Sequence, residues 1–237
     1  MSVAEPTIDP EHPISGQAVP GQDCPLCPRL AAFRGVQRAA HPEWFNAPVP
    51  SFGDEAAELL IVGLAPGLRG ANRTGRPFTG DYAGDLLYAT LRKFGFAIGD
   101  YAAHPADGLA LHRARITNAV RCVPPQNKPE PAEIAACRPF LAAELAREPR
   151  LRVILALGAI AHNSVLTALG FRRAAYPFTH GALHELPDGL VLADSYHCSR
   201  LNTNTGKLTP AMFEAVFAAL SSRLALPSSS TETEISL

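Results

Sequence analysis

The sequence has no run approaching eighteen uninterrupted apolar residues, which argues against a membrane-spanning helix. Its first residues, Met1 to Pro13, hold neither the basic region nor the apolar segment of a secretory leader, so a cytoplasmic location is expected. Thiols stay reduced there, and the five cysteines are read as ligands, nucleophiles or core fillers rather than disulfides. Charge of one sign is not in excess either. Net charge is −1, which speaks against a chain that grips nucleic acid over its whole surface. The glycine-rich stretch "GLAPGLRGANRTGRPFTGD" (63–81) follows an apolar run, yet it lacks both G-x-x-x-x-G-K-[ST] and G-x-G-x-x-G. Neither a nucleotide triphosphate loop nor a dinucleotide loop is indicated. No internal repeat is present.

What remains is a chain of 237 residues with 47% hydrophobic content, enough for one domain with a substantial core. Residues 1–22 are Pro-rich and aperiodic, and residues 227–237 are Ser/Thr-rich and acidic; both read as poorly ordered ends around a domain at 23–226. Within it, short apolar runs (58–64, 114–120, 152–158, 189–196) alternate with amphipathic stretches (83–95, 130–148, 159–170, 209–225). That alternation predicts an α/β fold, a doubly wound three-layer α/β/α sandwich with four parallel strands. Ligands in such folds bind beyond the carboxyl ends of the strands.

The charges are neutral on average but unevenly placed. Residues 59–80 carry Arg69, Arg73 and Arg76, residues 109–129 carry Arg113, Arg115, Arg121 and Lys128, and residues 195–213 carry Arg200 and Lys207, all without an acid. Each window enters or leaves a loop at a strand's carboxyl end. Their convergence would give a basic face for phosphates.

Four cysteines fall into two pairs, Cys24 with Cys27 in "CPLC" and Cys122 with Cys137. Four thiolates suit tetrahedral zinc or an iron–sulphur cluster, and the wide second pair suits the larger group better. Cys198, beside His197, reads as a small residue in a tight loop.

Taken in order, "CPLC", "GLAPG", "NRTGRPFTGD", "AVRCVPPQNKP" and "SYHCSRLNTNTG" resemble the motifs of the iron–sulphur uracil-DNA glycosylases, in particular the branch called family 5 or type B. The resemblance covers about Cys24 to Ala225. It implies a [4Fe-4S] cluster on Cys24, Cys27, Cys122 and Cys137, and monofunctional excision of uracil from double-stranded DNA in base-excision repair by a monomer. Hypoxanthine, xanthine and ethenocytosine are further candidate bases. Excision requires a base taken out of the stack and held on an aromatic ring, for which Phe78 is the candidate. Gly63, Ala65 and Gly67 would let backbone approach the base, and Asn118 would read its edge unless it simply bonds the sheet.

Bond cleavage leaves an oxocarbenium-like sugar and an anionic base, so a donor and a carboxylate are needed. His197 resembles the family residue that stabilises the leaving base. Leu64 and Ala65 stand where other uracil glycosylases keep a polar catalytic group, which leaves Asp81 as the candidate base or cation stabiliser, with Asn127 as a second water-orienting group. An acid among arginines is expected to ionise readily. Arg69, Arg73, Arg76, Ser199, Arg200 and Asn202 are candidate DNA contacts, and Leu201 is a candidate wedge for the vacated stack. The pocket motifs offer no lysine nucleophile. A nucleotide hydrolase would need a carboxylate cluster that these motifs lack; a cluster-bearing DNA-binding module without catalysis is the other alternative.

Overall fold

The computed structural model describes residues 19–147, 149–187 and 189–225. The expected arm and tail lie outside these residues, apart from 19–22. Here Pro20 lines the cysteine pocket and the Gln22 carbonyl accepts from Arg38, so the ordered body begins before Cys24.

The elements in chain order are α1 (Pro28–Ala40), β1 (Phe52–Gly53), β2 (Leu59–Gly63), α2 (Ala71–Thr74), α3 (Tyr82–Lys93), β3 (Ala97–Ile98), β4 (Ala110–Leu111), β5 (Ala114–Asn118), α4 (Pro131–Arg147), β6 (Val153–Leu157), α5 (Ala159–Ala168), β7 (Leu183–Glu185), β8 (Val191–Ser195), α6 (Arg200–Asn204) and α7 (Pro210–Ala225). The main sheet has the order β1-β5-β2-β6-β8-β7. Its four inner strands are parallel, as expected, and the two-residue β1 and three-residue β7 add antiparallel edges. Strands β2, β6 and β8 are buried at every residue, because helices cover both faces and leave no position for a polar alternation.

Leu87 and Leu91 of α3 and Phe213 and Phe217 of α7 pack with Leu59, Ile61 and Leu155 on one face. Leu141 and Leu145 of α4 and Val165 and Leu166 of α5 pack with Leu60, Val62 and Ile154 on the other. Each such side chain contributes roughly 1.5–3 kcal/mol by leaving water. The connection from β2 to β5 runs one way along the sheet, and the next, to β6, returns past β2. Strand order therefore reverses between β2 and β6, and the loops after these strands open the crevice in which doubly wound folds bind ligands.

A small apolar group joins Leu30, Val120, Cys122, Cys137 and Phe140, with Cys24, Cys27 and Ala65 packed against it. Off the crevice, Asp194 Oδ1 lies 2.6 Å from His162 Nδ1, and Oδ2 lies 3.0 Å from His184 Nε2. Oδ2 also accepts from the Thr179 amide, and His162 Nε2 lies 2.8 Å from the Tyr176 carbonyl. These bonds tie the 176–184 segment to β8, and each of the named polar atoms has a partner.

Candidate active site

The β2 loop is built around close approach. Gly63 is in register with Asn118 on β5, and a methyl placed on Gly63 would stand 2.7 Å from Phe78 Cζ and collide with Asn118 Oδ1. Only a hydrogen fits between ring and amide. Phe78 is buried with φ 51°, a left-handed backbone that costs a non-glycine residue on the order of 1–3 kcal/mol. Its neighbours hold it there. Tyr88 Oη donates to the Pro77 carbonyl at 2.6 Å, Tyr101 Oη donates to the Phe78 carbonyl at 3.2 Å, and Gly84 leaves room for that same carbonyl.

Asp81 occupies the N-cap position of α3 but makes no capping bond through its side chain. Its Oδ1 is buried without a partner. Burial pushes its pKa up from the ordinary carboxylate value, against the nearby amides of Gly84 and Ala83. The expectation of a carboxylate eased into ionisation by arginines is corrected: among the described residues no arginine pairs with it, and burial is the largest influence on it. Arg76 is 4% exposed, with Nη1 and Nη2 each 2.7 Å from an Asp107 oxygen and Nε 2.7 Å from Thr79 Oγ1. The guanidinium lies within 5.2 to 5.8 Å of the Phe52, Tyr88 and Tyr101 ring centres. Arg76 is therefore a post under the Phe78 loop and is spent inside the fold, not on DNA.

His197 leaves the end of β8 with its ring centre 5.8 Å from that of Phe78. Its Nδ1 is buried without a partner, and burial pushes its pKa down to about 4, so the imidazole is neutral at pH 7. The Asn202 amide donates to the His197 carbonyl at 2.8 Å. Cys198 is wholly buried, and burial, with the Asp81 charge adding to it, pushes its thiol pKa up. Asn118 is 3% exposed and its Oδ1 also has no partner, so this oxygen does not bond the sheet. Phe78, Asn118 and His197 thus converge at the crevice, with Asp81 three residues beyond Phe78 on the same loop.

Other predicted residues sit less centrally. Gly67 faces Asp81 Oδ2, whereas Ala65 turns its methyl toward the cysteine group. Asn127 is exposed in a 3-10 turn with φ 56°, on the loop after β5 rather than among the buried groups. Arg69 and Arg73 are exposed, the latter donating from Nε to the Arg69 carbonyl. Ser199 caps α6 through the Asn202 amide, and Arg200 and Leu201 are exposed on that helix. The second basic window does not form a DNA face as a whole: Arg113 pairs with Glu58, and Arg115 and Arg121 pair with Glu144.

Cys24, Cys27, Cys122 and Cys137 line one pocket between α1, α4 and the β5 loop. Burial pushes the thiols of Cys27 and Cys122 up to about 11 and about 12, and that of Cys137 upward. Such thiols become thiolates only against strong positive charge. The Arg34 guanidinium reaches Cys122 Sγ at 3.5 Å and the Arg121 amide reaches Cys137 Sγ at 3.3 Å, N–H···S contacts of the kind that support a metal thiolate.

Sequence reasoning missed the Arg76–Asp107 post, Arg34 and the exposed Tyr82, whose ring lies under the Arg200 guanidinium at 5.2 Å. An arginine flanked by "TG" and "PF" carries no local sign that its partner lies 31 residues downstream.

Fold and site define an α/β protein with a buried aromatic ring, Phe78, and unpartnered polar atoms at the carboxyl ends of its central strands. Residues 50–221 match the family model described as the uracil DNA glycosylase superfamily, and the chain belongs to that family. A Type-5 uracil-DNA glycosylase of Thermus thermophilus is 49% identical over 196 residues, covering 80% of this chain and 89% of its own. Another Type-5 uracil-DNA glycosylase, from Mycobacterium bovis, is 44% identical over 203 residues, covering 82% and 75%. A Type-4 uracil-DNA glycosylase of Pyrobaculum aerophilum is 36% identical over 126 residues, covering 52% and 56%. No helix among the described residues is long and apolar enough to cross a membrane.

Proposed function

We propose that this chain is a monofunctional uracil-DNA glycosylase acting on double-stranded DNA in base-excision repair, with hypoxanthine, xanthine and ethenocytosine as further candidate substrates. The observation that carries the reading is three buried polar atoms without partners: Asn118 Oδ1 and His197 Nδ1 beside the Phe78 ring, and Asp81 Oδ1 three residues beyond Phe78 on the same loop. Buried polar atoms are normally paired, so a site that keeps three unpaired is shaped for a polar guest.

Uracil drawn from the duplex stacks on Phe78, and the Asn118 amide pairs with its edge. As the glycosidic bond breaks, its electrons leave with the base. A neutral His197 donates a hydrogen bond to the base oxygen that gains charge, in a site from which water is excluded. Asp81, ionised, faces the sugar cation and takes the proton of the water that adds to the anomeric carbon. Asn127, on the exposed loop after β5, is a second polar group able to orient water. Arg69, Arg73 and Arg200 meet phosphates, Ser199 and Asn202 shape the loop that approaches the minor groove, and Leu201 fills the gap in the stack. No lysine in this scheme attacks the sugar, so the reaction ends at the abasic site.

The cysteine pocket fits a [4Fe-4S] cluster held by Cys24, Cys27, Cys122 and Cys137. Bound there, the cluster ties the N-terminal C-x-x-C to the β5 loop and α4 and so fixes the scaffold behind Ala65.

Incubation with a uracil-containing duplex, followed by alkaline cleavage at abasic sites, tests the reading. Strand breaks at uracil opposite guanine or adenine are expected. Intact strands from both substrates would overturn it.

A further inference from the structure

The pocket accounts for the extruded nucleotide but not for the bases it leaves behind. Among the described residues only eight large hydrophobic side chains are exposed, and two of them flank this pocket. Leu201, 72% exposed, stands four residues beyond His197. Tyr82, 39% exposed, directly follows Asp81. Their elements touch: the Arg200 guanidinium lies 5.2 Å from the centre of the Tyr82 ring, so the first residue of α6 rests on the first residue of α3.

Nothing inside the fold calls for an aromatic at position 82. The first position of a helix needs no apolar side chain, tyrosine is a mediocre helix former, and Tyr82 Oη has no hydrogen bond among the described residues. Its ring carries one cation and remains open to solvent. An exposed ring beside a cation is the arrangement by which proteins hold unstacked bases, the ring taking the base face and the cation a nearby phosphate.

We propose that Tyr82 is a DNA-binding residue on which a base flanking the extruded nucleotide stacks, with Arg200 carrying the neighbouring phosphate and Leu201 occupying the gap between them. The inference rests on the glycosylase reading. It makes the wedge two-sided, one side from α6 and the other from the start of α3, so that opening of the stack takes place next to Asp81.

The test uses the full-length protein and a duplex holding a tetrahydrofuran abasic analogue, with 2-aminopurine on either side of it in separate substrates. Affinity and 2-aminopurine fluorescence are measured for wild type, Tyr82→Ala and Tyr82→Phe at two salt concentrations. Tyr82→Ala is expected to raise Kd at least about fivefold and to remove the fluorescence change at one flanking position, while Tyr82→Phe keeps both. The salt slope stays unchanged in both variants, because no charge is lost. Wild-type affinity and fluorescence in Tyr82→Ala overturn the proposal alone. A wild-type protein that binds the abasic duplex no better than an intact one overturns the glycosylase reading and this proposal with it.

Discussion

The Asp81 carboxylate lies in a notch formed by two glycines: a methyl on Gly67 would stand 2.9 Å from Oδ2, and one on Gly70 would overlap the carboxylate outright. Gly70→Ala is therefore expected to displace Asp81 and to slow single-turnover uracil excision about tenfold or more, since small misplacements of a reacting group are costly. Gly35→Ala, on the exposed face of α1 with open space around it, should leave the rate unchanged. A wild-type rate in Gly70→Ala would show that the carboxylate position is not needed.

The two titrating groups of the pocket are shifted in opposite directions. In the proposed reaction Asp81 acts as a carboxylate, so its raised pKa should put the acid limb of the rate profile above the ordinary value of 3.8, and Asp81→Asn should remove that limb while lowering the rate by roughly 10²-fold. His197 titrates at about 4 and stays neutral from pH 5 to 8, so it adds no limb there; His197→Ala lowers the rate by a similar factor at every pH in that range. Stability follows the same signs. The folded state binds a proton on His197 less readily than the unfolded chain does, so stability falls as pH drops below 6.5 toward about 4. Asp81 is held ionised at neutral pH against its burial, so Asp81→Asn is expected to melt higher than wild type at pH 7. Calorimetry and single-turnover rates across pH check both statements.

Arg76 and Arg73, three residues apart, should behave as different kinds of residue. Breaking the buried Arg76–Asp107 pair by Arg76→Ala leaves a carboxylate uncompensated and should cost about 3 kcal/mol of stability. Arg73→Ala should change stability by less than ~0.5 kcal/mol, yet reduce the slope of log affinity against log salt by about 1. Equal effects on melting would undo the distinction.

Purified protein should be brown, with a broad absorption band near about 400 nm, and Cys122→Ser or Cys137→Ser should lose the colour and part of the stability. Colourless protein carrying one zinc ion would contradict the cluster assignment.

Asn118→Ala should broaden base choice, because its amide is the polar group in register with Gly63 at the pocket edge. A panel of uracil, hypoxanthine, xanthine and thymine duplexes measures this. An unchanged ratio of uracil to hypoxanthine cleavage removes Asn118 from the role of reader.

The four parallel strands and the four long helices around them were legible because buried strands read as apolar runs and the helices as periodic stretches. The short strands and α1 were not: the edge strands Phe52–Gly53 and Leu183–Glu185 and the separate pair Ala97–Ile98 with Ala110–Leu111 are too short to carry a period, and α1 contains Arg34 and Gln37 at positions facing inward. Phe78, Asn118 and His197 could be placed because each follows or ends a strand at the carboxyl edge. The fate of the charges could not, since "RTGRPF" looks the same whether an arginine meets a phosphate or Asp107. The misjudged ionisation of Asp81 has the same origin, as sequence neighbours among arginines are not spatial neighbours.

The pairing of Gly63 with Asn118 makes the proposed base recognition a matter of sheet arithmetic. Side chains alternate faces along β5, so inserting or deleting one residue within β2 or β5 would slide Thr117 or Ala119 into that position and turn the amide toward α4. If Asn118 reads the base as proposed, a single-residue length change in either strand is expected to abolish that reading without altering any pocket residue's identity.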